Sequence, residues 1–185
     1  MTWRRILWRL FTLGLFFVLV VFAYPYLKNA ARFVRLLREP PPAALPVPVD
    51  GVSRSRLADT WGAARSGGRT HEGIDIFAPR GTQVLSATRG IVVRKGTNRL
   101  GGNVVTVLGP GGWYHYYAHL EDWADPSTGD WVEQGAVLGY VGTTGNAQGT
   151  PPHLHYGIYD SGEAKNPYPL LTREMGSRLI DSPPR

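Results

Sequence analysis

The sequence predicts an all-β domain of mainly antiparallel strands, preceded by one N-terminal transmembrane helix and a short basic amphipathic helix. Three observations carry that expectation. Beyond about residue 52 the apolar residues come in short β-rich runs punctuated by glycine, with turn signals such as Gly109-Pro110-Gly111-Gly112 and no helix of convincing length. Residues 10–27, by contrast, form one apolar run of the length that crosses a bilayer. Between the two, prolines crowd residues 39–48, where neither a helix nor a central strand can form.

A chain of 185 residues with 43% hydrophobic content suffices for one domain and an appendage. Its charge is unevenly placed. Residues 1–38 hold seven Lys/Arg and no acid, leaving 13 of the 20 bases against all 14 acids. The basic character therefore belongs to the N-terminus, and the rest shows no Lys/Arg stripe interleaved with aromatics, so no nucleic-acid partner is expected. The absence of cysteine excludes thiolate zinc sites, disulfides and cysteine nucleophiles. Any metal must then sit on histidine and carboxylate.

In chain order, the apolar run is flanked by Trp3, Trp8, Tyr24 and Tyr26, placed as interfacial aromatics. A cleaved signal peptide is the alternative, but no small-x-small cleavage site follows Ala23, which favours an uncleaved anchor. Arg4, Arg5 and Arg9 on one flank face Lys28, Arg32, Arg35 and Arg38 on the other, so charge alone does not orient the span. From residue 27 to 38 the cations, and separately Leu27, Ala30, Val34 and Leu37, recur at helical spacing. This reads as a basic amphipathic helix, either lying on anionic lipid or simply solvated. The proline-rich stretch reads as a stiff spacer; from residue 39 to 57 it extends roughly 60 Å at about 3.1 Å per residue. Strands are expected over 83–87, 91–94, 103–108, 113–119, 137–141 and 153–159, followed by a loosely ordered polar tail.

The histidines carry the chemistry. His153-Leu154-His155 follows two prolines and leads into Tyr156 and Ile158, a strand entered from a rigid turn that points both imidazoles to one face. Such a pair suits a site needing a ligand and a proton handler. His71-Glu72-Gly73-Ile74-Asp75 superficially matches a helical zinc motif, yet Gly73, Ile74, Ile76 and Pro79 oppose a helix. In a loop leading into a strand, His71 and Asp75 can still converge on one ion, because Gly73 lets the backbone turn. In Trp113-Tyr114-His115-Tyr116-Tyr117-Ala118-His119, strand alternation puts His115 and His119 on the same face and cannot tell them apart.

His71-x-Gly-x-Asp75, Tyr117-Ala118-His119-Leu120 and His153-Leu154-His155 occur in that order with Ala78-Pro79-x-Gly81-Thr82, Gly129-Asp130-Trp131-Val132 and Gly142 between them. Over about residues 59 to 171 the chain thereby resembles the lysostaphin/LytM-type zinc endopeptidases. The resemblance implies an antiparallel β-sheet domain with an open groove, Zn2+ held by His71, Asp75 and His155, and a catalytic pair of His119 and His153. His115 and Glu72 match no essential position, so His115→Ala is expected to be nearly silent. Trp61, Tyr114, Tyr117 or Tyr156 are expected along the substrate path.

The implied activity is hydrolysis of peptide bonds in peptidoglycan stems or cross-links; the alternative is a non-catalytic member that regulates another wall hydrolase. Such regulators typically lack one or more site residues. The expected organisation is a membrane anchor (1–27), basic helix and linker (28–52), zinc peptidase domain (53–171) and tail (172–185). The chain is expected to cross the cytoplasmic (inner) membrane once, with its catalytic domain on the periplasmic side. Peptidoglycan peptide and membrane are the expected partners, and no residue pattern indicates a protein partner.

Overall fold

Helix α1 (Trp3–Arg38) runs unbroken in the computed structural model, which describes residues 3–174 and, for 25–29, the backbone alone. Its segment Trp3–Tyr24 has a mean hydropathy of 2.4 and is wholly exposed, so it is long and apolar enough to cross a membrane. The anchor and basic helix expected as two elements are one, because Pro25 removes a single backbone donor without ending the helix. The apolar stripe expected on the basic part is not what packs. Ala30, Val34 and Leu37 are exposed, and Leu36 is buried instead. The chain divides into two units, residues 1–35 and 36–185. The expected tail lies outside the described residues from position 175 onward.

The second unit is built on one antiparallel sheet. Its strands are β1 (Ile74–Phe77), β2 (Gln83–Leu85), β3 (Gly90–Asn98), β4 (Gly102–Leu108), β5 (Tyr114–Trp123), β6 (Trp131–Val132), β7 (Val137–Val141), β8 (His153–Asp160) and β9 (Glu163–Lys165), and a short helix α2 (Tyr168–Thr172) follows. The main path is β1-β8-β5-β4-β3-β6, while β7 pairs with β2 and β5 and β9 pairs with β8. Each run expected as a strand overlaps one, although β2 ends at Leu85 and β5 begins at Tyr114, and β6 and β9 are too short to leave a periodic signal.

Period-2 alternation divides the central strands between two faces. Leu154, Tyr156 and Ile158 of β8, Ile74 and Ile76 of β1 and Tyr117 of β5 are buried in the core, each aliphatic worth about 1.5–3 kcal/mol. On the opposite face Asp75, His155 and Ala118 are direct cross-strand neighbours. The fold thus sets a row of site residues on one side of a strand triplet whose other side is core.

The proline-rich stretch forms neither helix nor strand, as expected, but it is not a free spacer. Leu45 and Val49 are buried in the core cluster. The Leu45 amide donates to Leu170 O (2.9 Å), Asp50 N to Gln83 O (3.0 Å) and Leu85 N to Pro48 O (3.0 Å). Prolines fix the backbone extended and still offer carbonyl acceptors, so they suit a strap laid on a sheet edge as well as a linker. The strap accordingly belongs to the second unit, which begins at residue 36.

Candidate metal centre and groove

Three elements converge at the site. His71 precedes β1, Asp75 lies on β1 and His155 faces it from β8, the Asp75–His155 pair being in direct register. His71 Nε2 lies 2.8 Å from His155 Nδ1 and 3.1 Å from Asp75 Oδ1, which is 3.2 Å from His155 Nδ1. For nitrogen and oxygen ligands bound to zinc at 2.0–2.1 Å, the edge of a tetrahedron is about 3.3 Å. The donor set, two imidazoles and one carboxylate oxygen with no thiol, therefore fits a small divalent ion in both spacing and chemistry.

Hydrogen bonds to carbonyls fix the rings. A carbonyl only accepts, so His71 donates from Nδ1 to Thr60 O (2.7 Å) and turns its Nε2 lone pair inward. Thr60 also accepts the Asp75 amide on Oγ1 (3.0 Å), so one residue orients two prospective ligands. Gly73 makes room for the third: a Cβ there would lie 2.6 Å from Tyr156 O and 2.7 Å from His155 Cε1. Arg65 binds the other carboxylate oxygen of Asp75. Burial alone would raise the Asp75 pKa, but the adjoining His155, His71 and Arg65 side chains overcome it and hold the carboxyl well below the usual range.

His119 and His153 stand beside this cluster, their ring centroids 5.1 Å apart, and His119 is 5.9 Å from His155. His119 donates from Nδ1 to Thr144 O (2.9 Å) and His153 from Nδ1 to Pro151 O (2.8 Å), so each presents Nε2 as a proton acceptor. His153 Nε2 is 3.9 Å from Asp75 Oδ1, outside the tight donor cluster. Burial, with smaller contributions from His155 and His153, pushes the His119 pKa down to about 4.

His119 reaches the groove by breaking alternation. It is a non-glycine residue with φ of 65°, at an irregularity where β5 shifts register against its neighbours. Such a conformation costs on the order of 1–3 kcal/mol and is met where the surroundings enforce it. Tyr116, Ala118 and His119 consequently line one cavity, whereas His115, Tyr117 and Leu120 are wholly buried. His115 donates to or accepts from the Tyr156 hydroxyl at 2.7 Å and is a core residue, so its replacement is expected to cost stability rather than pass silently.

The cavity holds about 660 Å³ and runs from the histidine cluster over Ala118 and Tyr116 toward Asn98, Arg94 and Tyr159, with Arg65 and Arg69 also lining it. Of the aromatics expected on the substrate path, Tyr117 and Tyr156 are in the core instead, because they occupy the core-facing positions of β5 and β8. Trp61 and Tyr114 do not line the cavity either. Tyr116 and Tyr159 take their place, their rings perpendicular at 6.3 Å. Once strands are assigned, the opposite-parity positions carry that signal. Thr60, Arg65 and Thr144 had no local signal, since each acts through a residue distant in sequence, while Asn98 offered only the turn signal of an asparagine before Gly101 and Gly102.

Comparison with known proteins agrees with this geometry. The chain is 45% identical over 139 residues to the L-Ala--D-Glu endopeptidase of Bacillus subtilis (strain 168), covering 69% of this chain and 41% of that protein. It is 38% identical over 99 residues to the DD-carboxypeptidase/endopeptidase Mpg of Neisseria meningitidis serogroup B, covering 54% of this chain and 22% of the other. It therefore spans about two fifths of the length of the first relative and about a fifth of the second. The solved catalytic domain of lysostaphin from Staphylococcus simulans superposes with a TM-score of 0.58 at 28% identity, covering 65% of this chain and 96% of that one. The family model described as peptidase family M23 matches residues 69–167, the span that holds all of His71, Asp75, His119, His153 and His155, and the chain belongs to that family.

Proposed function

We propose that this protein is a membrane-anchored, zinc-dependent endopeptidase that hydrolyses peptide bonds in the stems or cross-links of peptidoglycan. The observation that carries the proposal is the convergence of one N/O/N donor set with two further imidazoles whose Nε2 atoms are unengaged by their carbonyl partners. His71, Asp75 and His155 would hold zinc, which when bound would supply Lewis acidity and a nucleophile from water near neutral pH. His119 and His153 are the proton-handling pair: their Nε2 atoms take the proton of attacking water, steady the developing oxyanion when protonated, and return the proton to the leaving amine. Arg65 occupies the carboxylate oxygen that Asp75 does not turn toward the histidines, which keeps Asp75 a one-oxygen donor.

The substrate class draws on the relatives, whose names include an L-Ala--D-Glu endopeptidase, and on the open groove. Arg69 and Arg94 line that groove with Glu72, beyond the pair that Arg65 makes with Asp75, and they suit a peptide bearing carboxylates. A complete set of five site residues supports hydrolysis over a purely regulatory role. The apolar segment Trp3–Tyr24 would anchor the domain on the outer, periplasmic side of the cytoplasmic membrane, where this substrate lies.

Incubating the detergent-solubilised full chain with purified peptidoglycan, with and without chelator and then with zinc restored, tests the proposal. Mass analysis should find fragments with new amino termini that vanish on chelation and return with zinc. A zinc-loaded protein that releases none, or a reporter fused after Arg185 that is active only in the cytoplasm, would contradict the activity or the topology respectively.

A further inference from the structure

His119 is held in place by a turn that sequence places far from it. The turn at 98–102 joins β3 to β4, and its Gly101 carbonyl accepts the His119 amide at 2.7 Å. That is the backbone bond next to the positive φ that swings the imidazole into the groove. Asn98 closes the turn: its Oδ1 accepts the amides of Leu100 (3.1 Å) and Gly101 (2.6 Å). Its Nδ2 donates to the Tyr116 hydroxyl at 3.0 Å, tying the turn to the floor of the groove. The hydroxyl abuts the turn where there is no side chain, since a Cβ on Gly101 would lie 2.1 Å from it.

The far side of the turn is equally tight. Gly102 has φ of 63°, and a Cβ there would lie 2.2 Å from Thr144 Oγ1. Thr144 is the residue whose carbonyl receives His119 Nδ1, and its hydroxyl accepts from Asn103 N (2.9 Å) and donates to Leu120 O (2.9 Å). The backbone of His119 is thus held by this turn and its ring by Thr144, which packs against the turn that the Asn98 side chain shapes.

We infer that Asn98, by bonding the turn to itself and to Tyr116, is a positioning residue that holds His119 in its groove-facing conformation. The inference rests on the hydrolytic reading, in which His119 handles protons. Without the Asn98 side chain the turn loses three side-chain hydrogen bonds, and the His119 amide loses a fixed acceptor. The relaxed conformation of β5 is the ordinary extended one, which alternation turns toward the core.

The test uses the full chain in detergent, loaded with zinc, on soluble peptidoglycan fragments. Asn98→Ala should lower kcat by about tenfold or more, with KM within about twofold and zinc content and thermal midpoint near those of the parent. Asn98→Asp, which keeps the Oδ1 acceptor, should recover turnover to within about threefold of the parent. An unchanged kcat, a loss confined to KM, or an aspartate variant no better than alanine would overturn the inference. If Asn98→Ala does not fold, Tyr116→Phe removes only the tie; it should lower kcat about threefold with the midpoint kept, and an undiminished kcat overturns the inference. His119→Ala separates the two levels. If that variant is fully active, the role given to His119 fails; if it is inactive while Asn98→Ala is not, only the positioning fails.

Discussion

Truncating His71, Asp75 or His155 to alanine removes one of the three donors that lie within 4.8 Å of one another, so zinc occupancy and activity should fall together. His119→Ala and His153→Ala should instead keep the metal and lose turnover by about a hundredfold or more, and the double variant should cost less than the product of the two. Metal analysis beside steady-state rates distinguishes the groups; a His153→Ala protein without zinc and a His155→Ala protein with it would exchange their roles. His115 is a different case. It is fully buried, and burial pushes its pKa down to about 3, whereas the unfolded chain binds that proton near pH 6.5. Between those values the unfolded state holds the extra proton, so His115 makes stability fall as the pH drops from about 6.5 toward 3, with no such contribution above. His115→Phe should reduce the loss of thermal midpoint between pH 7 and pH 5. His115→Ala, which leaves a cavity and removes the hydrogen bond to the Tyr156 hydroxyl, should cost about 2–4 kcal/mol in denaturant unfolding.

At the scale of elements, β1 and β8 approach closely because position 73 has no side chain. Gly73→Ala puts a methyl group 2.6 Å from a backbone oxygen and 2.7 Å from the His155 ring, so strand or ring must shift. We expect a lower melting temperature and weaker zinc binding from that variant. Gly96→Ala on β3 meets nothing within 4 Å and should change neither, which makes it the control. The proline-rich strap offers the complementary test. Leu45→Ala should destabilise the domain by about 2–5 kcal/mol, as for any fully buried leucine, whereas a solvated spacer would tolerate it with no measurable change in unfolding midpoint.

For the whole molecule, the net charge of +6 is carried by the N-terminal segment, so selectivity toward anionic peptides must come from the groove arginines rather than the overall field. Paired stem peptides that differ only in a free carboxylate or its carboxamide should differ by several-fold in kcat/KM, and Arg94→Gln should narrow the difference while leaving the carboxamide rate intact. Equal rates for the parent on both peptides would remove the arginines from recognition. The sequence alone determined what local pattern can carry: the transmembrane-length helix, the β-rich runs, and the three histidine motifs from which metal and catalytic sets were assigned. Period-2 spacing made the same-face placement of His153 and His155 legible whatever they pack against, and the resemblance supplied the division into metal and catalytic sets. Only the tertiary structure decided how His119 rather than His115 comes to face the groove, as the resemblance had implied, since the left-handed backbone at His119 depends on a turn joining β3 to β4 and has no trace in the local pattern of β5. The strap was likewise hidden. Proline-rich composition specifies an extended chain, and whether it floats or docks depends on distant partners such as Gln83 and Leu170, which offer the backbone hydrogen bonds and the core that buries Leu45.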